Sequence, residues 1–109
     1  MNESDYEDAM QIILHAGNAK SAALMAIDAA AEGDFESAAQ RLEEAAQEMH
    51  AAHDVQFKLI QGEANGEQVP INIILVHAQD HLAMAIMASD FAERMVEQYR
   101  CMEALTAKK

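Results

Sequence analysis

Apolar side chains recur every three to four residues along three long segments of this chain, and only two short breaks separate the segments. Such spacing is typical of amphipathic α-helices. The first break is Gly33-Asp34, a helix-ending glycine followed by a residue that can cap the next helix. The second runs from Gly62 to Val69, just before Pro70, which is tolerated in the first turn of a helix. The spacing therefore predicts a helical protein with two turns.

The predicted helices span about 5–32, 34–62 and 70–105, within a single domain of residues 1–109. Ser4 and Glu7 have the spacing of a capping box, which predicts that the first helix begins at about Asp5. The hydrophobic fraction is 51%, with eight methionines and no tryptophan, so we expect a core of small and flexible side chains. Since the first turn leaves room only for an antiparallel neighbour, the predicted fold class is all-α, an antiparallel three-helix hairpin.

The chain is strongly acidic, with 19 acidic and 7 basic residues and a formal charge of -12. Such a charge repels nucleic acids and anionic membranes, so we expect no nucleic-acid partner and favour basic protein partners. The single cysteine, Cys101, cannot form an internal disulfide, and the acidic segment from Met1 to Asp8 does not resemble a signal peptide. We expect a reduced, soluble, cytoplasmic protein.

The start of the third segment is apolar in every direction. Between Ile71 and Val76, the apolar side chains point to nearly all sides of a helix. A lone hairpin covers only about one side of each helix, so part of this apolar surface would stay exposed to water. The exposed apolar surface favours self-association, with the third helix near the symmetry axis. A β-strand over 71–76 is the competing interpretation.

Two histidines and a carboxylate interrupt this apolar segment. His77, Asp80 and His81 are at positions i, i+3 and i+4, so they share one face of a helix. Three functions fit the spacing: a neutral imidazole that accepts a phosphoryl group, a metal site, or a satisfied core pair with Asp80 as hydrogen-bond partner. The spacing alone leaves all three open.

The remaining histidines and the cysteine give weaker signals. His15, His50 and His53 lie beside the apolar stripes of the first two helices, which favours packing at the edge of the core. A helical metal-binding bundle that uses His77, Asp80 and His81, with His50 and His53 as further ligands, is an alternative. We expect Cys101 to be a small buried thiol. We also expect seven of the methionines to fill the core: Met10, Met25, Met49, Met84, Met87, Met95 and Met102.

The chain resembles the enzyme IIA component of the lactose/cellobiose (N,N'-diacetylchitobiose) class of the bacterial phosphoenolpyruvate-dependent sugar phosphotransferase system. The resemblance covers nearly the whole chain. It runs, in order, through the blocks Ile12 to Ser21, Glu32 to Phe35, Ala52 to Gln56, Leu59 to Ala64 and Leu75 to Leu82. The last block, with Val-His-Ala-Gln-Asp-His, is the most specific.

The resemblance implies a trimer that forms a nine-helix bundle. It also implies that His77 accepts a phosphoryl group from phospho-HPr and passes it to the cysteine of enzyme IIB, for uptake of a disaccharide such as cellobiose, chitobiose or lactose through the membrane enzyme IIC. Asp80 would share a divalent metal, usually magnesium, with its two symmetry copies at the trimer axis. His81 and Gln79 are possible neighbours in the site.

The chain departs from the family pattern at one point near the site. Where the family often has Leu-Met-Thr after the second histidine, this chain has Leu-Ala-Met, at residues 82–84. The change removes a hydroxyl group one helical turn from Asp80. It affects the details of the site and leaves the assignment of His77 unchanged.

Overall fold

Three α-helices make up residues 3–107, the part of the chain that the computed structural model describes: α1 (Glu3–Ala31), α2 (Phe35–Ala64) and α3 (Ile73–Ala107). They form an up-down-up hairpin, because the start of α1 packs against the end of α2 and the start of α3, and the end of α1 against the start of α2. The rod measures 62 × 21 × 18 Å. The all-α prediction is confirmed, and residues 71–76 contain no strand.

α1 is the central element of the hairpin. It packs along both other helices, whereas α2 and α3 touch each other much less. None of the helices within residues 3–107 offers an apolar stretch long enough to cross a membrane.

The turn between α1 and α2 has the predicted form. Gly33 has φ 81°, an angle that glycine adopts without the strain a Cβ would bring. The amides of Gly33 and Asp34 donate to the carbonyls of Ala30 and Ala29 at 3.0 and 2.9 Å, which is the Schellman ending of a helix. The Asp34 carboxylate then accepts from the Ser37 amide at 3.1 Å and caps α2.

α2 ends two residues later than predicted. Gly62 is helical, and the glycine with positive φ is Gly66, at 91°. The amide of Gly66 donates to the Glu63 carbonyl and that of Glu67 to the Gly62 carbonyl, so a second Schellman motif, with Gly66 after the cap residue Asn65, ends the helix at Ala64. The predicted end at Gly62 was wrong because a single glycine inside a helix destabilises it by only about 1 kcal/mol.

α3 begins at Ile73, three residues after the predicted start. The Asn72 side-chain oxygen accepts from the Leu75 amide at 2.9 Å, and the Asn72 carbonyl accepts from the Val76 amide at 3.1 Å. The start at Pro70 was wrong because asparagine is a strong N-cap, whereas proline favours a helical start without capping it.

α1 begins at Glu3, so Ser4 lies inside its first turn and not at the N-cap. The predicted start at about Asp5 was therefore two residues too late. The residue that precedes Glu3 lies outside the described residues.

Alanine forms most of the core. α1 alone buries seven alanines, Ala9, Ala16, Ala19, Ala22, Ala23, Ala26 and Ala30. Among the described residues, Ile12 and Leu82 are the largest fully buried side chains. Since a methyl group adds little to the radius of a helix, such a face lets neighbouring helices approach closely. Few large side chains fit between helices packed in this way.

Most methionines lie outside this core. Six of the seven expected to fill it are about half exposed: Met10, Met25, Met84, Met87, Met95 and Met102. Met49 packs against the core as predicted. The prediction was wrong for the others because the alanine faces leave no interior volume for long side chains.

The adjacent pair Ala38 and Ala39 tests this packing. Ala38 is buried at 0% exposure where α2 meets α1, whereas Ala39 is exposed. We expect Ala38→Leu to destabilise the protein by about 1–3 kcal/mol, because the added methylenes have no cavity to fill. Ala39→Leu should change stability by less than about 0.5 kcal/mol. Urea unfolding of both variants measures the difference, and equal midpoints would contradict the packing described here.

Candidate functional site

α3 carries an exposed apolar strip, the α3 seam, on the face opposite its buried residues. Its large members are Ile73, Val76, Met84, Met87, Phe91, Met95, Met102 and Leu105. Ile73 is 86% exposed at the start of the helix, although isoleucine is among the most often buried residues. An exposed apolar strip of this length on a single chain indicates an interaction surface.

Asp80 lies in the middle of the α3 seam. It is exposed and stands seven residues after Ile73, four before Met84 and seven before Met87, spacings that share one helix face. Within residues 3–107 the Asp80 carboxylate makes no hydrogen bond or ion pair. A carboxylate thus interrupts an exposed apolar strip.

His77 and His81 form a pair on one flank of the seam. Their Nε2 atoms are 3.1 Å apart, and the rings meet edge to face with centroids 4.4 Å apart. His77 is exposed and His81 is half-buried. A hydrogen bond between two ring nitrogens uses one proton, so one Nε2 donates and the other offers its lone pair. The exposed member of the pair can be reached by a partner protein.

His77 also lies close to a helix N-terminus. α3 begins at Ile73, which places His77 in the second turn of the helix. The N-terminal end of a helix carries a partial positive charge that stabilises nearby anions, although the effect weakens beyond the first turn. A negatively charged group on His77 would therefore be modestly stabilised by α3.

Gln79 contacts α2 on the other flank of α3. The Gln56 side-chain nitrogen donates to the Gln79 side-chain oxygen at 2.7 Å, in a part-buried position. Sequence reasoning missed Gln56 as a site residue, since local spacing does not reveal which residues of two helices will meet. Its one signal was a polar side chain within the apolar stripe of α2.

The geometry separates the three interpretations of the polar residues on α3. A satisfied core pair requires buried histidines bonded to Asp80, but His77 is exposed and Asp80 bonds neither ring, so that interpretation was wrong. No group of three His, Cys, Asp or Glu side chains in the described part of one chain is placed to hold a metal ion. The exposed His77 ring, whose Nε2 is paired with that of His81, fits the nucleophile interpretation.

The remaining candidate residues differ in exposure: His15 is half-buried, whereas His50, His53 and Cys101 are exposed. The His15 ring Nδ1 lies 2.6 Å from a Glu48 carboxylate oxygen across α1 and α2, and the half-buried pair confirms packing at the core edge. His50 and His53 are exposed, so the same prediction was wrong for them. Cys101 is also exposed, contrary to the buried thiol expected, because it lies on the outer side of the last turns of α3.

Comparison with known proteins decides the family. A model of the lactose/cellobiose-specific IIA subunit of the phosphotransferase system (PTS) matches residues 7–100. The chain belongs to this family. The resemblance found from the sequence blocks is confirmed, and the chain is an enzyme IIA, a phosphotransferase component.

Relatives and solved structures support this assignment for nearly the whole enzyme IIA chain. It is 46% identical over 99 residues to the lichenan-specific phosphotransferase enzyme IIA component of Bacillus subtilis (strain 168), covering 91% of this chain and 90% of that one. The PTS cellobiose-specific enzyme IIA from Bacillus anthracis matches with a TM-score of 0.92 and 36% identity over 95% of both chains. A chain of the IIA(chitobiose)-HPr complex of Escherichia coli matches with a TM-score of 0.79 and 32% identity, over 94% of this chain and 99% of that one.

Proposed function

We propose that this enzyme IIA is a phosphocarrier that accepts a phosphoryl group from phospho-HPr on His77 and passes it to the cysteine of an enzyme IIB. The observation that carries the proposal is the exposed His77 ring, whose Nε2 lies 3.1 Å from the His81 Nε2. The solved complex of a relative with HPr supports HPr as the donor. The net charge of -12 suits fast, transient docking of basic partners.

The chemistry at His77 requires no general base. The lone pair of the neutral Nε2 attacks phosphorus in line, a new N–P bond forms, and the N–P bond to the donor histidine of HPr breaks. In the next step the cysteine thiolate of enzyme IIB attacks, an S–P bond forms and the N–P bond on His77 breaks. The membrane enzyme IIC then completes phosphorylation of the sugar, a disaccharide such as cellobiose, chitobiose or lactose.

His81 fits the role of a hydrogen-bond donor in this reaction. If the His81 Nε2 carries the shared proton, the His77 Nε2 keeps its lone pair and the other nitrogen of His77 is protonated. After transfer, the same N–H of His81 faces an oxygen of the phosphoryl group. Such a charge-assisted bond stabilises the phosphohistidine beyond the contribution of the α3 N-terminus.

The first test is labelling with phosphoenolpyruvate, enzyme I and HPr. We expect an acid-labile, base-stable phosphate that is absent from His77→Ala. His53→Ala removes an exposed histidine from α2 and should be labelled like the unchanged protein. Equal labelling of the two variants would exclude His77 as the acceptor.

The role of His81 is tested by two substitutions. His81→Ala should slow transfer to His77 and shorten the lifetime of the phosphohistidine by roughly ten- to a hundredfold, the effect of losing one hydrogen bond to a charged group. His81→Gln keeps an N–H donor and should retain most of the rate. If both variants behave like the unchanged protein in stopped-flow transfer from phospho-HPr, His81 only packs.

A second apolar face supports assembly into a trimer. α1 exposes Tyr6, Met10, Leu14 and Leu24 on the side opposite its buried alanines. Gly17 lies among them, and apart from its chain neighbours and the nearby backbone of α1 no atom stands within 4 Å of the position its Cβ would occupy, so a helix of another copy can approach closely. We propose that the α3 seam of each copy packs against the other two α3 helices and a neighbouring α1, forming the nine-helix bundle.

Asp80 would then meet its two symmetry copies at the axis. Three carboxylates close together in apolar surroundings repel one another strongly. A divalent ion such as Mg²⁺ has the affinity for carboxylate oxygens that removes this repulsion. We therefore propose Asp80 as a ligand that controls assembly rather than phosphoryl transfer. The alternative function is a helical metal-binding bundle that uses His77, Asp80 and His81, and within residues 3–107 no three such side chains are placed to hold a metal ion.

Substitution of Asp80 separates these roles. We expect Asp80→Leu to remain trimeric by native mass spectrometry, to be phosphorylated on His77, and to gain about 1 kcal/mol or more per copy in metal-free buffer. Mg²⁺ should raise the unfolding midpoint of the unchanged protein and leave that of Asp80→Leu unaffected. Asp90→Leu, on α3 outside the seam, is the matched control. A monomeric Asp80→Leu would contradict the proposed role.

A further inference from the structure

The hydrogen bond between Gln56 and Gln79 sets the direction of an amide group near the proposed site. Gln56 donates its N–H to the Oε1 of Gln79 at 2.7 Å. An amide side chain has one acceptor end and one donor end. Because the oxygen of Gln79 points toward Gln56, the end of the amide that faces away from α2 is its NH₂ group.

Gln79 and His77 lie on opposite flanks of the α3 seam. At about 100° per residue, His77 stands about 60° to one side of Asp80 and Gln79 about 100° to the other. In a three-fold assembly with Asp80 at the axis, the α3 helices are parallel, and each flank faces the opposite flank of the next copy. The flank that carries His77 in one copy therefore faces the flank that carries Gln79 in its neighbour.

An NH₂ group on that flank has a chemical use. A phosphoryl group on His77 presents anionic oxygens, which hydrogen-bond donors stabilise and carbonyl oxygens repel. The direction of the Gln79 amide thus decides whether the flank attracts or repels the phosphoryl group. That direction depends on α2, because Gln56 lies on that helix.

We propose that Gln56 is a positioning residue, which holds the Gln79 amide so that its NH₂ group donates to the phosphoryl group on His77 of the neighbouring copy. The inference rests on the proposed function and on the trimer. It assigns a role in phosphoryl transfer to a side chain of α2 that does not itself touch the reacting atoms.

Three variants of the 109-residue chain test the proposal. Gln56→Glu has nearly the same shape but only acceptor atoms, so Gln79 must donate to it and turn its own oxygen toward the site. Gln56→Met removes the hydrogen bond and leaves the Gln79 amide free to rotate. Gln61→Glu makes the same charge change at an exposed position of α2 and serves as the control. Circular dichroism and native mass spectrometry confirm that each variant is folded and trimeric.

Two measurements follow for each variant. The side-chain amide resonances of Gln79 in ¹⁵N-labelled, unphosphorylated protein should shift in both Gln56 variants and stay unchanged in Gln61→Glu. Transfer from phospho-HPr should slow by roughly ten- to a hundredfold in Gln56→Glu, as expected for the loss of one charge-assisted hydrogen bond, and by less in Gln56→Met. Gln61→Glu should match the unchanged protein.

A double substitution distinguishes positioning from a structural role. In a Gln79→Met background, Gln56→Met should slow transfer no further, because the residue it positions is already gone. A further loss of rate there, or a Gln56→Glu rate equal to that of Gln61→Glu, would overturn the proposal while leaving His77 as the phosphoryl acceptor. If the unchanged protein took no phosphate from phospho-HPr, the proposed function would fail, and this inference with it.

Discussion

The rest of the structure depends on the alanine face of α1. A helix face built from methyl groups lets both neighbours approach closely, and Ile12 and Leu82 are the largest side chains fully buried between them. Larger apolar residues such as Met84 and Phe91 therefore lie on the outer sides of the helices. Close packing inside the hairpin thus leaves apolar surface outside it, and that surface is where assembly and phosphoryl transfer are proposed to meet.

α3 gives four consecutive residues four different surroundings. Ala78 is buried against α1, Gln79 contacts Gln56 on α2, Asp80 lies in the exposed seam, and His77 occupies the seam's outer flank. The rotation of about 100° per residue produces this division. This division suits the proposed phosphoryl transfer, because an acceptor that serves two partners in turn must be open to both, while a carboxylate is best kept away from an incoming phosphate.

Predictions from the sequence succeeded where a feature is local. The Gly33-Asp34 turn and the proximity of His77 to His81 depend on residues within five positions of each other. The three helices follow from apolar spacing that repeats from one helical turn to the next. Predictions failed where two local signals compete, since Gly66 ended α2 in place of Gly62 and Asn72 capped α3 in place of Pro70. They failed again for the methionines, because both faces of α1 and α3 are apolar and periodicity does not say which face is inside.

The sequence by itself determined the family, the three helices and the placing of His77, Asp80 and His81 on one side of α3. These features depend on helical spacing and on short sequence blocks that resemble the family, and both can be read without the tertiary structure. Only the tertiary structure decided that the alanines are inside and the methionines outside, that His77 is exposed, and that Gln56 holds Gln79. The physical reason is that burial and pairing between helices depend on how closely the helices approach. That distance results from many side chains packing at once, and no local pattern encodes it.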